Sequence, residues 1–104
     1  MTPVIVLTTV GTAFDVATLA RELVEQRLAA CVNIIPRIES VYRWQGRIET
    51  EGEQLLLIKT VAERLDALQS ALMARHPYEV PEFVVTRMDE VRGPWREWLI
   101  ESVR

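Results

Sequence analysis

Histidine and cysteine occur once each in these 104 residues, as His76 and Cys31. A lone cysteine excludes an internal disulfide and fits a reducing compartment. A hydrolytic dyad or triad needs a nucleophile, a base and an orienting group, and almost no material for one is present. Cys31 lies among Ala30, Val32 and Ile34. Nothing there lowers a thiol pKa, so a buried, slowly reacting side chain is expected. The reading is a protein that is not an enzyme. Glycine is also scarce: Gly11, Gly46, Gly52 and Gly93 are far apart and form no phosphate-cradling loop. Basic clusters are missing. The net charge is −3, and the arginines are scattered among acids. That excludes the basic footprint that nucleic acid or an anionic membrane surface selects. No apolar run approaches the ~20 residues of a membrane span. Met1-Thr2-Pro3 leads straight into a short apolar segment with no signal-peptide pattern. A soluble, cytoplasmic protein is the expectation.

What is present is core material. Hydrophobic residues make up 49% of the chain, enough for one domain over residues 1–104. Val4-Ile5-Val6-Leu7 is too short for a helix and reads as a buried strand. Thr12 and Asp15 resemble a capping box, with a helix from about Thr12 to Ala29. Cys31 to Pro36 reads as a second strand, interrupted at Pro36. Arg37 to Gln54 alternates apolar and polar residues around Gln45-Gly46, as a long hairpin with a polar tip. Leu55 to Ile58 continues as a third strand. Thr60 and Glu63 form a second capping box before a helix over about Val61–Arg75. Phe83 to Thr86 is a fourth strand. Gly93-Pro94 opens a last helix with proline at its tolerated first position. Trp95, Trp98 and Leu99 make its apolar stripe, with both tryptophans expected in the core. Residues 4–9 and 55–60 form a faint repeat. Two split βαβ halves of this kind give an α+β, ferredoxin-like βαββαβ sandwich with an extra C-terminal helix.

The unusual residues concentrate in His76-Pro77-Tyr78-Glu79-Val80-Pro81-Glu82. The prolines stiffen this stretch and hold the residues before them extended. It reads as a connector after a helix, presenting His76, Tyr78 and Glu82 in fixed directions. His76 with Glu79 or Glu82 makes at most a weak nitrogen–oxygen metal site, since tight sites use three or four such ligands. The alternative is an imidazole that only hydrogen-bonds within the connector. Tyr42 and Trp44 are two apart and share one strand face. They either pack on a neighbour or line a pocket with Lys59, Tyr78 and Glu82. Such a pocket makes a sensor for a small anionic ligand the alternative function. Glu49, Glu51 and Glu53 read as a solvated hairpin tip.

Four separated segments carry a family resemblance: Leu28-Ala29-Ala30-Cys31-Val32-Asn33, Ser40-Val41-Tyr42-Arg43-Trp44-Gln45-Gly46, Leu57-Ile58-Lys59-Thr60, and the connector 76–82. In order and spacing they resemble the CutA family of divalent-cation tolerance proteins. The resemblance implies a tight homotrimer of PII-like architecture in the cytoplasm. It also implies a role in tolerance of copper and other divalent ions. Some bacterial members are thought to hold copper through a first-strand Cys and two adjacent His. At those positions this chain has Thr8, Arg75 and His76. Only His76 carries over, and weak binding of Cu²⁺ or another divalent metal is what that implies.

Overall fold

A computed structural model describes all 104 residues. The elements are β1 (Pro3–Gly11), α1 (Val16–Glu25), β2 (Cys31–Trp44), β3 (Arg47–Val61), α2 (Leu65–Arg75), β4 (Val84–Arg87) and α3 (Pro94–Ser102). The four strands form one antiparallel sheet in the order β2-β3-β1-β4. The ferredoxin-like sandwich and its extra C-terminal helix are therefore present.

Strand alternation decides which side is covered. Val6 and Val10 of β1 and Leu56 and Ile58 of β3 turn to the helices. There they meet Leu19 and Leu23 of α1 and Leu68 and Leu72 of α2 in one core. The intervening residues Leu7, Leu55, Leu57, Ile35 and Val84 turn the other way, as the register requires. No helix of the chain covers that middle stretch, and Ile35 and Val84 are exposed. Only its far end is closed, where Leu99 and Val103 of the α3 segment pack on Val61 and Ala30.

The hairpin is longer and more regular than its composition suggests. β2 and β3 pair from Cys31–Lys59 out to Trp44–Arg47, with one register shift between Ile35 and Ile38. Pro36 stands at that shift, having no N–H to give to the ladder. Gln45 and Gly46 close the hairpin with φ of 49° and 80°. Positive φ at both central residues is the turn that matches strand twist.

Three local expectations fail, the first to a different local cap and only the second to long-range hydrogen bonds. Asp15 is itself the N-cap of α1, its carboxylate accepting from the Thr18 N–H, so the helix starts after Thr12 and ends at Glu25. Thr60 caps nothing. It is buried in β3 and donates its hydroxyl to the Leu28 carbonyl. Glu63 instead accepts from the Thr2 N–H, and a 3-10 turn over Ala62–Arg64 precedes α2. Trp95 and Trp98 are not core: they stay 39% and 46% exposed, packed on each other, while Leu99 takes the buried position.

Cys31 is also not fully buried. Alternation puts it on the uncovered sheet face, opposite Lys59, while Val32 packs toward the helices. Partial burial still raises its thiol pKa, and the Lys59 charge opposes this only in part.

Candidate functional site

Helix α2 stops where His76 turns extended ahead of Pro77. The connector then crosses the edge of β1 beyond the reach of β4. His76 ties it down. Its Nδ1 accepts the Tyr78 N–H at 3.2 Å. The ring proton therefore sits on Nε2, which donates to the Thr9 carbonyl at 3.0 Å. The Thr8 hydroxyl lies 3.1 Å from the same nitrogen. Tyr78 packs edge-on against the imidazole, with centroids 5.0 Å apart. Its phenol reaches across the sheet and donates to Glu53 Oε2 at 2.6 Å.

This network forms the back of a cleft of about 640 Å³ between the hairpin and the connector. Tyr42 and Trp44 form one wall, and Tyr78, Glu79 and Glu82 the other. Glu49, Glu51 and Glu53 line it from β3; Glu51 stays exposed and Glu49 half-buried, so the solvated-tip reading fails only for Glu53. Glu53 is only 6% exposed. The field inside is negative. Burial, then repulsion from Glu53, raises the Glu82 pKa. Burial, then the hydrogen bond to Glu53, pushes the Tyr78 phenol far above its ordinary value.

Four of the pocket residues picked from sequence meet here: Tyr42, Trp44, Tyr78 and Glu82. Lys59 does not. It faces the far end of the sheet, with its ammonium 5.7 Å from the Trp95 ring centroid. No Lys, Arg or His lines the cleft, so its chemistry does not suit an anion. Sequence reasoning missed Glu53 as a site residue. The available signal was its two-residue spacing from Glu49 and Glu51, which puts all three on one strand face.

The structure also tests the metal reading. Thr8 and His76 meet in space, as the resemblance requires of the first-strand ligand and the imidazole. The donor set is nonetheless poor for copper. A hydroxyl stands where a soft thiolate is needed. Both imidazole nitrogens are already committed within the chain. No three His, Cys, Asp or Glu side chains converge as a metal cage.

Burial pushes the His76 imidazole below its ordinary 6.5, against the opposing Thr9 hydrogen bond and the Glu53 charge. Between that lowered value and 6.5 the unfolded chain takes up a proton that the folded chain refuses. The resulting stability is complete above about pH 6.5 and is lost as pH falls through the lower, folded value. Glu82, with its raised pKa, has the opposite slope: its contribution is present at low pH and lost as pH rises through the folded value. Comparing urea midpoints of the native protein and His76→Gln isolates the histidine. From about pH 7.5 to about pH 5 the native protein is expected to lose more stability than the variant. Parallel curves would remove the buried neutral imidazole from the account.

The order of elements, the sheet and the hairpin-and-connector cleft define a protein of the ferredoxin-like α+β class. Comparison with known proteins narrows this. A model of the family described as CutA1 divalent ion tolerance protein matches residues 4–102. The chain belongs to that family. It is 44% identical over 98 residues to a divalent-cation tolerance protein CutA of Thermus thermophilus, covering 94% of this chain and 95% of that one. It is 43% identical to the human protein CutA over 81 residues, 78% of this chain but only 45% of the human one. The solved Thermus thermophilus structure superposes with a TM-score of 0.92 at 42% identity, over 98% of this chain and 99% of that one. CutA1 from Oryza sativa gives 0.94 at 40% identity, over 100% and 95% respectively.

Proposed function

We propose that this chain works as a non-enzymatic homotrimer in the cytoplasm, in the response to divalent cations, and that it binds metal weakly through His76. The geometry of His76 supports the weak binding. To coordinate, the ring must give up the Tyr78 N–H or the Nε2 proton held by the Thr9 carbonyl. Each loss subtracts from the binding energy. At most one carboxylate of the connector would join it, and no thiolate is present to favour copper. The uncovered apolar sheet face, through Leu7, Leu55, Leu57 and Ile35, supports the trimer. The single free thiol supports the compartment.

Calorimetric titration with Cu²⁺ tests the metal role. The native protein is expected to bind with micromolar affinity at best and to release metal below about pH 6, as the imidazole protonates. His76→Ala is expected to bind more weakly still and to keep the native mass in light scattering. Identical isotherms for the two proteins would end the metal role of His76. It would then be a positioning residue that holds Tyr78 against Glu53.

A further inference from the structure

The connector is fastened firmly at both ends and lightly in the middle. At one end the His76 N–H donates to the Leu72 carbonyl at 2.9 Å, and the imidazole donates to the Thr9 carbonyl. At the other end Phe83 packs on the main core, and Val84–Arg87 pairs with β1. Between these anchors, Pro77 to Glu82 makes one hydrogen bond to the sheet, from the Tyr78 phenol to Glu53 Oε2 at 2.6 Å. The ion pairs of the chain are Arg75–Glu22, Arg92–Glu90 and Arg104–Glu101, so Glu79 and Glu82 add no second tie. Val80, at the middle of the stretch, is 67% exposed. Pro77 and Pro81 have no N–H to contribute, and they keep the stretch stiff enough to move as one piece about its ends.

The seat of the phenol is built into the sheet. Gly11 stands opposite Glu53 in the β1–β3 register. A Cβ at Gly11 would already touch the phenol oxygen at 3.8 Å, so a larger side chain there would crowd it. The bond spans the cleft from the connector wall to β3, so its state sets how far that wall stands from the hairpin. A phenol–carboxylate bond is one of the stronger kinds, yet a single bond is a small part of global stability. Segments held by few contacts open before the core does. We propose that residues 77–82 form a hinged strap over the cleft, latched by the hydrogen bond between Tyr78 and Glu53. With the latch closed, Glu53 lies beneath the connector at 6% exposure. With it open, Glu53 meets water and the cleft widens on the connector side, while the sheet and helices stay folded. The device works without metal at His76, and its failure leaves the metal reading untouched.

The test is native-state proteolysis of the intact protein by a glutamyl endopeptidase, with each cut located by mass spectrometry. Cutting after Glu79 or Glu82, both exposed, requires the strap to leave its seat; cutting after Glu49 on the hairpin does not. Where opening and closing are fast relative to cleavage, the cutting rate follows the open population. Tyr78→Phe removes the hydroxyl and keeps the ring against His76. It is expected to speed cutting after Glu79 and Glu82 at least about tenfold and to leave the Glu49 rate unchanged. Gly11→Val crowds the phenol from the other side and is expected to act in the same direction. It carries the test should Tyr78→Phe not fold. Adding Glu53→Gln to Tyr78→Phe should speed the strap cuts no further, because both changes strike the same bond. Unchanged strap rates in both single variants overturn the proposal and would place the hold on the connector in its two ends or in a neighbouring copy. Equal acceleration after Glu49 also overturns it, since that marks loosening of the whole fold. So does a double variant in which the two effects simply add.

Discussion

Leu57→Glu is expected to break the proposed trimer into monomers. Leu57 lies in the middle of the uncovered sheet face, between Leu7 of β1 and Asn33 of β2. With Leu55, Ile35 and Val84 it makes the apolar patch that the helices leave open. Burying a carboxylate there without a partner costs several kcal/mol. Closed symmetry repeats that cost in every copy. The helix-facing core through Leu56 and Ile58 is untouched, so the monomer should keep its helices in circular dichroism. Light scattering should read about three chain masses for the native protein and one for the variant. Cys31 reports on the same event. It lies on that face beside Lys59, so its thiol should react slowly in the trimer and faster in the variant. An unchanged mass would place the subunit interface elsewhere.

Thr8→Cys is expected to bring the largest gain in copper affinity of any single change. Thr8 is fully buried, and its hydroxyl stands 3.1 Å from His76 Nε2. A thiol there is nearly isosteric and cannot replace the hydroxyl as a good hydrogen-bond partner. What it adds is a soft donor next to the only imidazole, the combination that copper prefers to hydroxyl and carboxylate. Deprotonation of the thiol on binding would release a proton, so the gain should grow with pH. Competition titration against a chelator should show at least roughly tenfold tighter binding than in the native protein. The double variant with His76→Ala should lose most of it. No gain in the single variant would mean that this corner is closed to metal, and that the meeting of Thr8 with His76 is purely structural.

The element order and the sandwich were legible because they rest on local signals. Continuous β-branched runs, helical spacing of leucines, the Gln45-Gly46 turn and proline at the start of α3 each act over a few residues. Pro36 disturbs the ladder where expected, because a missing N–H has the same effect in any fold. The shared face of Tyr42 and Trp44 was legible for a similar reason: strand alternation is a property of the backbone. The stiff connector from His76 to Glu82 also showed itself through its prolines.

Pairings between distant residues were not legible, because they depend on which elements the sheet brings together. Thr60 reads as a helix cap until β3 carries it to the Leu28 carbonyl. Lys59 reads as a pocket cation until alternation turns it away toward Trp95. Glu53 reads as a solvated tip until Tyr78, 25 positions later, covers it. Burial is the common cause. A carboxylate on an isolated strand is hydrated and unremarkable; the same group beneath a folded connector is 6% exposed and bonded to the Tyr78 phenol. The amino-acid sequence alone determined the ferredoxin-like chain path and the two aromatic side chains of one wall. Only the tertiary structure decided the tautomer of His76, the place of Lys59 and the negative sign of the cleft. Those depend on distances across the sheet, where Coulomb and desolvation energies are set by geometry rather than by neighbours in the chain.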